Sequence, residues 1–391
     1  MTTVFVGATN IITSLGFSTS GHCRRIKAGQ TMFRIDPDGN PGSASVPLSL
    51  IDTPQLEQRF RASLDQGRTG LQPGPFTRLE KMHLLSISEI LKNSRIKIRD
   101  PRTLLVLSTT KGNIDLLEKN RYPEIGPDRL YLWKLAEVLR FFFGNPNKPL
   151  VVSNACISGV LALIVGSRLI KAGRFDHVIV TGGDLVTEFV VSGFKSFRAL
   201  SPKPCRPFDL SRDGLSLGEG CATVTLSRDH SVGGLPEKII VAGGASSNDA
   251  HHISGPSRTG EGLMLAIHGA LKESDLTPSD IDYLSAHGTA TGYNDEMEAK
   301  ALSWLGLESV PVNSFKGYFG HTLGAAGVIE SALAVESVRK NELFRSAGFQ
   351  TPGTSKKLNV LTDYVTKEVT CCLKTASGFG GCNGAIVFKK I

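Results

Sequence analysis

The sequence predicts an α/β protein of two similar halves, and three observations carry that reading. A short apolar strand ending in small residues and leading into a long helix occurs once in each half. Three further short strands recur in the same order in both. Between the two series, Ser231-Val232-Gly233-Gly234-Leu235-Pro236 has the composition of a connector, so the halves are read as residues 1–230 and 235–391.

In the first half, a strand over Thr3 to Gly7 opens the series and Thr103 to Leu107 supplies the second. Pro149-Leu150-Val151-Val152 is a third, ending at Ser153-Asn154-Ala155-Cys156, after which Ile157 to Ala172 has the small and aliphatic composition of a buried helix; Val178 to Thr181 is the fourth strand. In the second half, Ile239 to Gly243 pairs with Thr3 to Gly7, Ile281 to Ser285 with Thr103 to Leu107, and Val369 to Thr375 with Val178 to Thr181. Val310-Pro311-Val312-Asn313 enters a glycine-rich loop, Gly317 to Gly320. A helix follows from Thr322 to Lys340, with a small-residue face at Gly324-Ala325-Ala326-Gly327. Two helices with such faces can approach closely at the centre of a molecule. Open α/β sheets place their sites at the carboxyl ends of the strands, so the residues just past these strands are the functional candidates.

Composition narrows the class. At 391 residues and 40% hydrophobic the chain is too long for one small core and too apolar for disorder. No apolar run approaches the ~18 residues of a membrane span, and Met1 to Gly7 shows neither a basic region nor a cleavage site, so a cytoplasmic protein without membrane contact is expected. The seven cysteines are irregularly spaced with no C-x-x-C pair, which argues against a disulfide framework and against a structural metal; Cys371 and Cys372 would face opposite ways in a strand. The net charge of +8 favours an acidic partner, and the absence of any nucleic-acid motif leaves an acidic protein or plain solvent to face it.

The chemistry centres on three residues. Cys156 follows a strand and opens a helix, where unpaired N–H groups and the helix dipole favour thiolate; the alternative is a buried core cysteine. His287, in Ser285-Ala286-His287-Gly288-Thr289-Ala290-Thr291, lies just past a strand among small residues. His321, in Lys316-Gly317-Tyr318-Phe319-Gly320-His321, follows the strand that mirrors the one before Cys156. If the halves are related by pseudo-symmetry, one sulfur and two imidazoles share a pocket.

These residues resemble a known family. Asn154-Ala155-Cys156-Ile157-Ser158-Gly159 is similar to the nucleophile motif of β-ketoacyl-acyl carrier protein synthases of the type I/II class. His287-Gly288-Thr289-Ala290-Thr291, with Asp295 and Glu298, resembles their first histidine motif, and Asn313 to His321, with Glu330, their second. Gly193-Phe194, Arg206-Pro207-Phe208-Asp209, Gly218-Glu219-Gly220 and Gly378-Phe379-Gly380-Gly381 follow the same order. The resemblance implies a thiolase-like fold, an αβαβα layered sandwich of two pseudo-symmetric halves, and a decarboxylative Claisen condensation. In that reading Cys156 is the nucleophile. His287 and His321 donate N–H to the enolate of a malonyl thioester, and the backbone N–H groups of Cys156 and Phe379 form the oxyanion hole, with Phe379 also a gate between mobile glycines. The resemblance pairs Lys316 with Glu330, sets Thr289 and Thr291 on the phosphopantetheine arm, and nominates Arg78, Lys81 and Arg206, with Glu80 among them, for docking an acyl carrier protein. It implies no cofactor beyond that arm, no metal, and a homodimer or a heterodimer with a second synthase-like subunit. His251-His252 reads as a solvated or core pair and not as a metal site.

The chain departs from the family at Val4 to Asn10, which lacks the usual T-G-x-G turn, and between Gly112 and Val151, which is short in a region that shapes the acyl pocket. Chain length and the choice among fatty-acid, polyene and polyketide assembly stay open. A non-catalytic partner of the chain-length-factor kind is the alternative, and Cys156 with both histidines argues against it.

Overall fold

The computed structural model describes residues 2–35, 46–65, 75–118 and 122–391. Ten strands form its main sheet. Five come from the first half: β1 (Phe5–Thr13), β2 (Thr103–Ser108), β3 (Leu150–Val152), β4 (His177–Asp184) and β5 (Gly220–Ser227). Five come from the second: β6 (Ile239–Asn248), β7 (Tyr283–Ser285), β8 (Val312–Asn313), β9 (Cys371–Gly378) and β10 (Cys382–Lys390). Their order is β8-β7-β9-β10-β6-β1-β5-β4-β2-β3, and it reads the same outward in both directions from the centre. In each half the first two pairings are antiparallel (β1–β5 and β5–β4; β6–β10 and β10–β9) and the outer two parallel (β4–β2 and β2–β3; β9–β7 and β7–β8). The halves join through one pair, Phe5 with Ile240.

All four strand correspondences read from the sequence recur in this order. Strands β5 and β10 were not anticipated. The Gly220–Ser227 segment is buried at every position, so it lacks the alternation that marks a half-exposed strand.

The helices make the layers. Helix α1 (Arg78–Lys92) and α2 (Leu132–Phe143) cover one face of the first half, where Leu79, Met82 and Leu139 meet Ile12, Leu105 and Ile179. Helix α3 (Ser158–Lys171) comes next in the chain, then α4 (Glu188–Ser196). Helix α5 (Glu261–Ser274) and α6 (Gly292–Trp304) cover the outer face of the second half, with Leu263, Ile267 and Leu302 against Leu284, Leu373 and Val387. After the single turn α7 (Lys316–Phe319) comes α8 (Ala326–Lys340). Helices α3 and α8 lie between the halves, and Val160, Leu163, Val328 and Leu333 pack with Val106, Val180, Cys372 and Ile386. The result is the αβαβα arrangement. Cys371 belongs to the outer cluster and Cys372 to the central one, on opposite faces of β9.

The small-residue faces do what their composition predicts. A Cβ added to Gly159 would lie 2.6 Å from the Val328 nitrogen, and one added to Gly327 would lie 2.3 Å from the Val160 nitrogen. The central helices therefore touch backbone to backbone, and only glycine fits at the crossing. No helix among the described residues is long and apolar enough to cross a membrane.

Candidate active site

Cys156 stands on a turn between β3 and α3. Ala155 before it has φ of 42°, a left-handed conformation that costs a non-glycine residue roughly 1–2 kcal/mol. The Ser158 hydroxyl holds the turn: it accepts from the Asn154 N–H at 2.8 Å and donates to the Ala155 carbonyl at 2.6 Å. On the far side, the position a Cβ would take on Gly378 is 3.0 Å from the Cys156 nitrogen, so the glycine loop that ends β9 closes on the Cys156 backbone.

His287 follows β7 on a segment bracketed by two carboxylates of α6. The His287 and Gly288 N–H groups donate to the two oxygens of Glu298 at 2.8 and 2.6 Å, and those of Thr289 and Ala290 donate to Asp295 at 2.9 and 3.2 Å. Gly288 has φ of 45°, and a Cβ there would meet Ser314 at 2.6 Å. His321 is fixed through its backbone, with its N–H on the Ser216 carbonyl at 2.7 Å and its carbonyl accepting from Gly218 at 3.1 Å.

The three side chains meet. His321 Nε2 is 3.0 Å from Cys156 Sγ, the two imidazoles stand edge to face with centroids 5.2 Å apart, and one ligand atom from each of the three lies within 4.8 Å of the others. All three are buried. Lys316, at the start of α7, donates to the His287 carbonyl at 2.6 Å, to Glu330 Oε1 at 2.6 Å and to His287 Nδ1 at 3.2 Å. An ammonium has no acceptor, so this contact makes Nδ1 the bare nitrogen of the neutral ring and leaves the proton on Nε2.

The electrostatics correct one expectation. Burial, opposed by the Lys316 charge, pushes the Cys156 thiol up to about 12, so it rests as a thiol and not as the thiolate expected from its place before a helix. Desolvation in a closed pocket outweighs the dipole of a helix that begins two residues later. Burial and then Lys316 hold both histidines well below the ordinary imidazole range. The resting site is therefore a neutral thiol against a neutral imidazole.

Residues 108–231 match the family model described as Beta-ketoacyl synthase, N-terminal domain, and residues 239–350 the one described as Beta-ketoacyl synthase, C-terminal domain. The chain belongs to the β-ketoacyl synthase family. A 3-oxoacyl-[acyl-carrier-protein] synthase 2 of Rhizobium meliloti is 33% identical over 280 residues, covering 68% of this chain and 66% of that protein. A Schizosaccharomyces pombe protein named for a mitochondrial synthase of the same kind is 28% identical over 430 residues, covering 100% of this chain and 99% of that protein. The solved complex of a ketosynthase with its chain length factor from Xenorhabdus doucetiae contains a chain that superposes with a TM-score of 0.81 at 24% identity, covering 100% of this chain and 98% of that one, a likeness of fold.

The remaining candidates of this β-ketoacyl synthase fall in different places. The Thr289 and Thr291 hydroxyls are 2.9 Å apart, the first buried and the second half-buried. Phe379 is half-buried, stacked on Phe194 at 5.6 Å and edge-on to Phe197 at 5.2 Å. Its loop is tied to residues 248–253 by bonds from Gly380 to Ile253 and from Asn248 to Gly380. His251 and His252 are exposed, the solvated one of the two readings.

The docking trio is broken up. Arg78 is buried, ion-paired with Glu219 and donating to the Ile51 carbonyl and the Thr53 hydroxyl, so it is a core cation and not a docking residue. It opens α1, whose first turn faces inward. Glu80 forms a capping box with Thr77 and pairs with Arg129, which explains the acid in an otherwise basic stretch. Lys81 is paired with Glu57 at 2.7 Å, while Arg206 is half-buried with its guanidinium on the Ser211 hydroxyl.

Two buried groups escaped the sequence reading. Asp184 accepts from Thr109, Thr110 and Gly324, tying the end of β2 to the segment after His321. Lys374, in the middle of β9, is fully buried beside Glu330; its signal was a lone lysine among Cys371, Cys372, Leu373 and Ala376.

Proposed function

We propose that this chain catalyses the decarboxylative condensation of an acyl thioester with malonyl-acyl carrier protein, giving a β-ketoacyl-acyl carrier protein in fatty-acid, polyene or polyketide assembly. The observation that carries the reading is the 3.0 Å contact of Cys156 Sγ with His321 Nε2, with His287 across the same pocket. As Sγ attacks the acyl carbonyl, its proton passes to His321 Nε2; the thiol of the first carrier then leaves with that proton. The N–H groups of Cys156 and Phe379 face the oxyanion in this reading. A malonyl thioester enters next. Its bond to the carboxylate breaks, carbon dioxide departs, and the electron pair moves to the thioester oxygen, which accepts hydrogen bonds from the Nε2–H of His287 and from His321 in its Nε2–H tautomer, since the acylated Sγ no longer donates to that nitrogen. The carbanion attacks the acyl-Cys156 carbonyl, a carbon–carbon bond forms, and the cysteine sulfur leaves as a thiolate that takes up a proton from solvent to restore the resting thiol.

Thr289 and Thr291 serve the amide-rich phosphopantetheine arm of the substrate, and no resident cofactor takes part. The catalytic unit is divided between residues 1–230, which bring Cys156, and 235–391, which bring the histidines. An acyl carrier protein is the partner that matches the excess of basic residues, with Arg206 and Lys81 on its path. A second synthase-like chain, identical or not, completes the assembly, as the chain length factor does for the Xenorhabdus ketosynthase. The seven cysteines stand free, which suits a reducing cytoplasm.

Intact-mass analysis after incubation with a panel of acyl-carrier thioesters, followed by malonyl-acyl carrier protein, tests the proposal. The expected result is an acyl adduct mapped to Cys156 that disappears as β-ketoacyl product forms. An adduct on another residue, or none with any carrier thioester, overturns it.

A further inference from the structure

Lys374 and Lys316 are both fully buried, and among the described residues the only carboxylate paired with their ammonium groups is that of Glu330, 2.6 Å from each. Lys374 also donates to the Thr375 carbonyl at 2.6 Å and lies 3.3 Å from the carbonyls of Ser285 and Ala286. The next carbonyl along, that of His287, is taken by Lys316. Two ammonium groups bridged by one carboxylate thus grip three consecutive carbonyls, and the last belongs to the histidine itself. A buried lysine on one half-share of a carboxylate is a costly arrangement that packing alone does not require.

We propose that Lys374 is a positioning residue for the malonyl step: by clamping the Ser285-Ala286-His287 strand end and anchoring Glu330, it holds Lys316 on His287 so that the imidazole presents Nε2–H to the enolate oxygen. The inference rests on the condensing reading above and deepens it. It has an electrostatic side as well. The charged and titratable groups around His287 are Lys316 and Lys374, Glu330 between them, Glu298 on the backbone N–H, and Cys156 and His321 across the pocket. Two cations against one bridging anion leave positive charge beside the imidazole, and Lys374 adds to Lys316 in keeping both histidines unprotonated. Neutral rings are what the step needs, since an imidazolium would protonate the enolate and end the reaction at acetyl thioester.

The test uses the full chain with Lys374→Met, which removes donor and charge, and Lys374→Gln, which keeps a donor without the charge. The wild-type protein is first shown to load an acyl group on Cys156 and to decarboxylate malonyl-acyl carrier protein; failure there overturns the condensing reading itself. Granted that activity, Lys374→Met lowers kcat for malonyl decarboxylation roughly ten- to hundred-fold with KM nearly unchanged, while acyl loading stays within about two-fold. The acid limb of its β-ketoacyl formation moves up by about one pH unit, because a histidine relieved of a neighbouring cation protonates more readily. Lys374→Gln recovers part of kcat and keeps the shifted limb. If Lys374→Met does not fold, the limb and kcat of Lys374→Gln decide in the same way. An unchanged kcat and acid limb in the folded variants, or equal losses in loading and decarboxylation, overturns the positioning role.

Discussion

The two halves share a strand order and differ in what they bury. In the first, Ser108 at the end of β2 pairs with Gly182; in the second, Ser285 at the end of β7 pairs with Lys374. Glycine is needed at the first site, where a Cβ would lie 2.5 Å from the Ser108 hydroxyl. Just beyond these strand ends, Thr109 is held by Asp184, whereas His287 is held by Glu298 and Lys316. One backbone frame thus delivers the Cys156 thiol on a tight turn from one copy, and a cluster of histidines and ammonium groups from the other. The frame specifies where strand ends converge, and the side chains there are free to diverge.

The sharpest way to break the comparison is to remove the Cys156 thiol from the first half. Cys156→Ala is expected to abolish acyl loading altogether, read as loss of the acyl adduct by intact mass, with malonyl decarboxylation surviving because its donors all lie in the second half. Loading that persists at another residue would end the division of labour.

The histidines come next. His321→Ala should slow loading about 10²- to 10⁴-fold, since a thiol held near 12 needs the base 3.0 Å away, whereas His287→Ala should load within a few-fold and lose decarboxylation by a similar factor. Single-turnover loading and carbon dioxide release from each variant measure the contrast. Equal losses in both reactions for both variants would show that the rings act as one unit.

Much of this was legible beforehand, and the reasons are physical. Strand ends with small residues mark β3 and β8, and glycine at 159 and 327 marks the close crossing, because backbone contact leaves a residue-type signature. Cys156, His287 and His321 stood out for the same reason, since reactive side chains after strands are few. The neutral state of Cys156 did not, because desolvation depends on what closes the pocket from distant parts of the chain. Arg78 and Lys374 misled in opposite ways. A basic residue at a helix start and a lysine in a strand look alike in sequence, and only partners far away in the chain, Glu219 and Glu330, decide which is buried.

The resting protonation state gives a smaller but cleaner test. Alkylation of Cys156 by iodoacetamide should rise about ten-fold per pH unit from neutrality upward without a plateau until the region of its raised pKa near 12. Malonyl decarboxylation should hold its rate as pH falls through the ordinary histidine range, because both imidazoles titrate only below it. A plateau in alkylation below about pH 9 would mean a thiolate-imidazolium pair, as the helix-start argument alone implied.

The seam can be stressed without touching the chemistry. Gly327→Ala drives a methyl into the Val160 nitrogen and should destabilise the protein by about 1–3 kcal/mol, read as a lower urea midpoint, while an alanine at the open helical position Gly193 should cost less. Equal effects at the two sites would mean that the central helices separate easily.

The smallest expected effect concerns the carrier protein, and it also bears on the seam. Arg206 belongs to the first half, yet a Cβ on Gly348 of the second would lie 2.9 Å from its Cγ, and its neighbour Cys205 donates to the Lys316 carbonyl at 3.3 Å. A carrier that docks there reaches both halves at once. Lys81 by contrast is already paired with Glu57, and reversing its charge should disturb that pair more than docking. An exposed ion pair is worth about 0.2–1 kcal/mol, so Arg206→Glu should raise KM for a carrier-linked substrate by up to about five-fold and leave KM for a small pantetheine thioester unchanged. Added salt should weaken the carrier-linked reaction of the wild type, given a Debye length of ~8 Å at physiological ionic strength, and should have less effect on the variant. If both substrates lose rate equally with salt, the charge acts on the fold and not on docking, and the seam is no docking site.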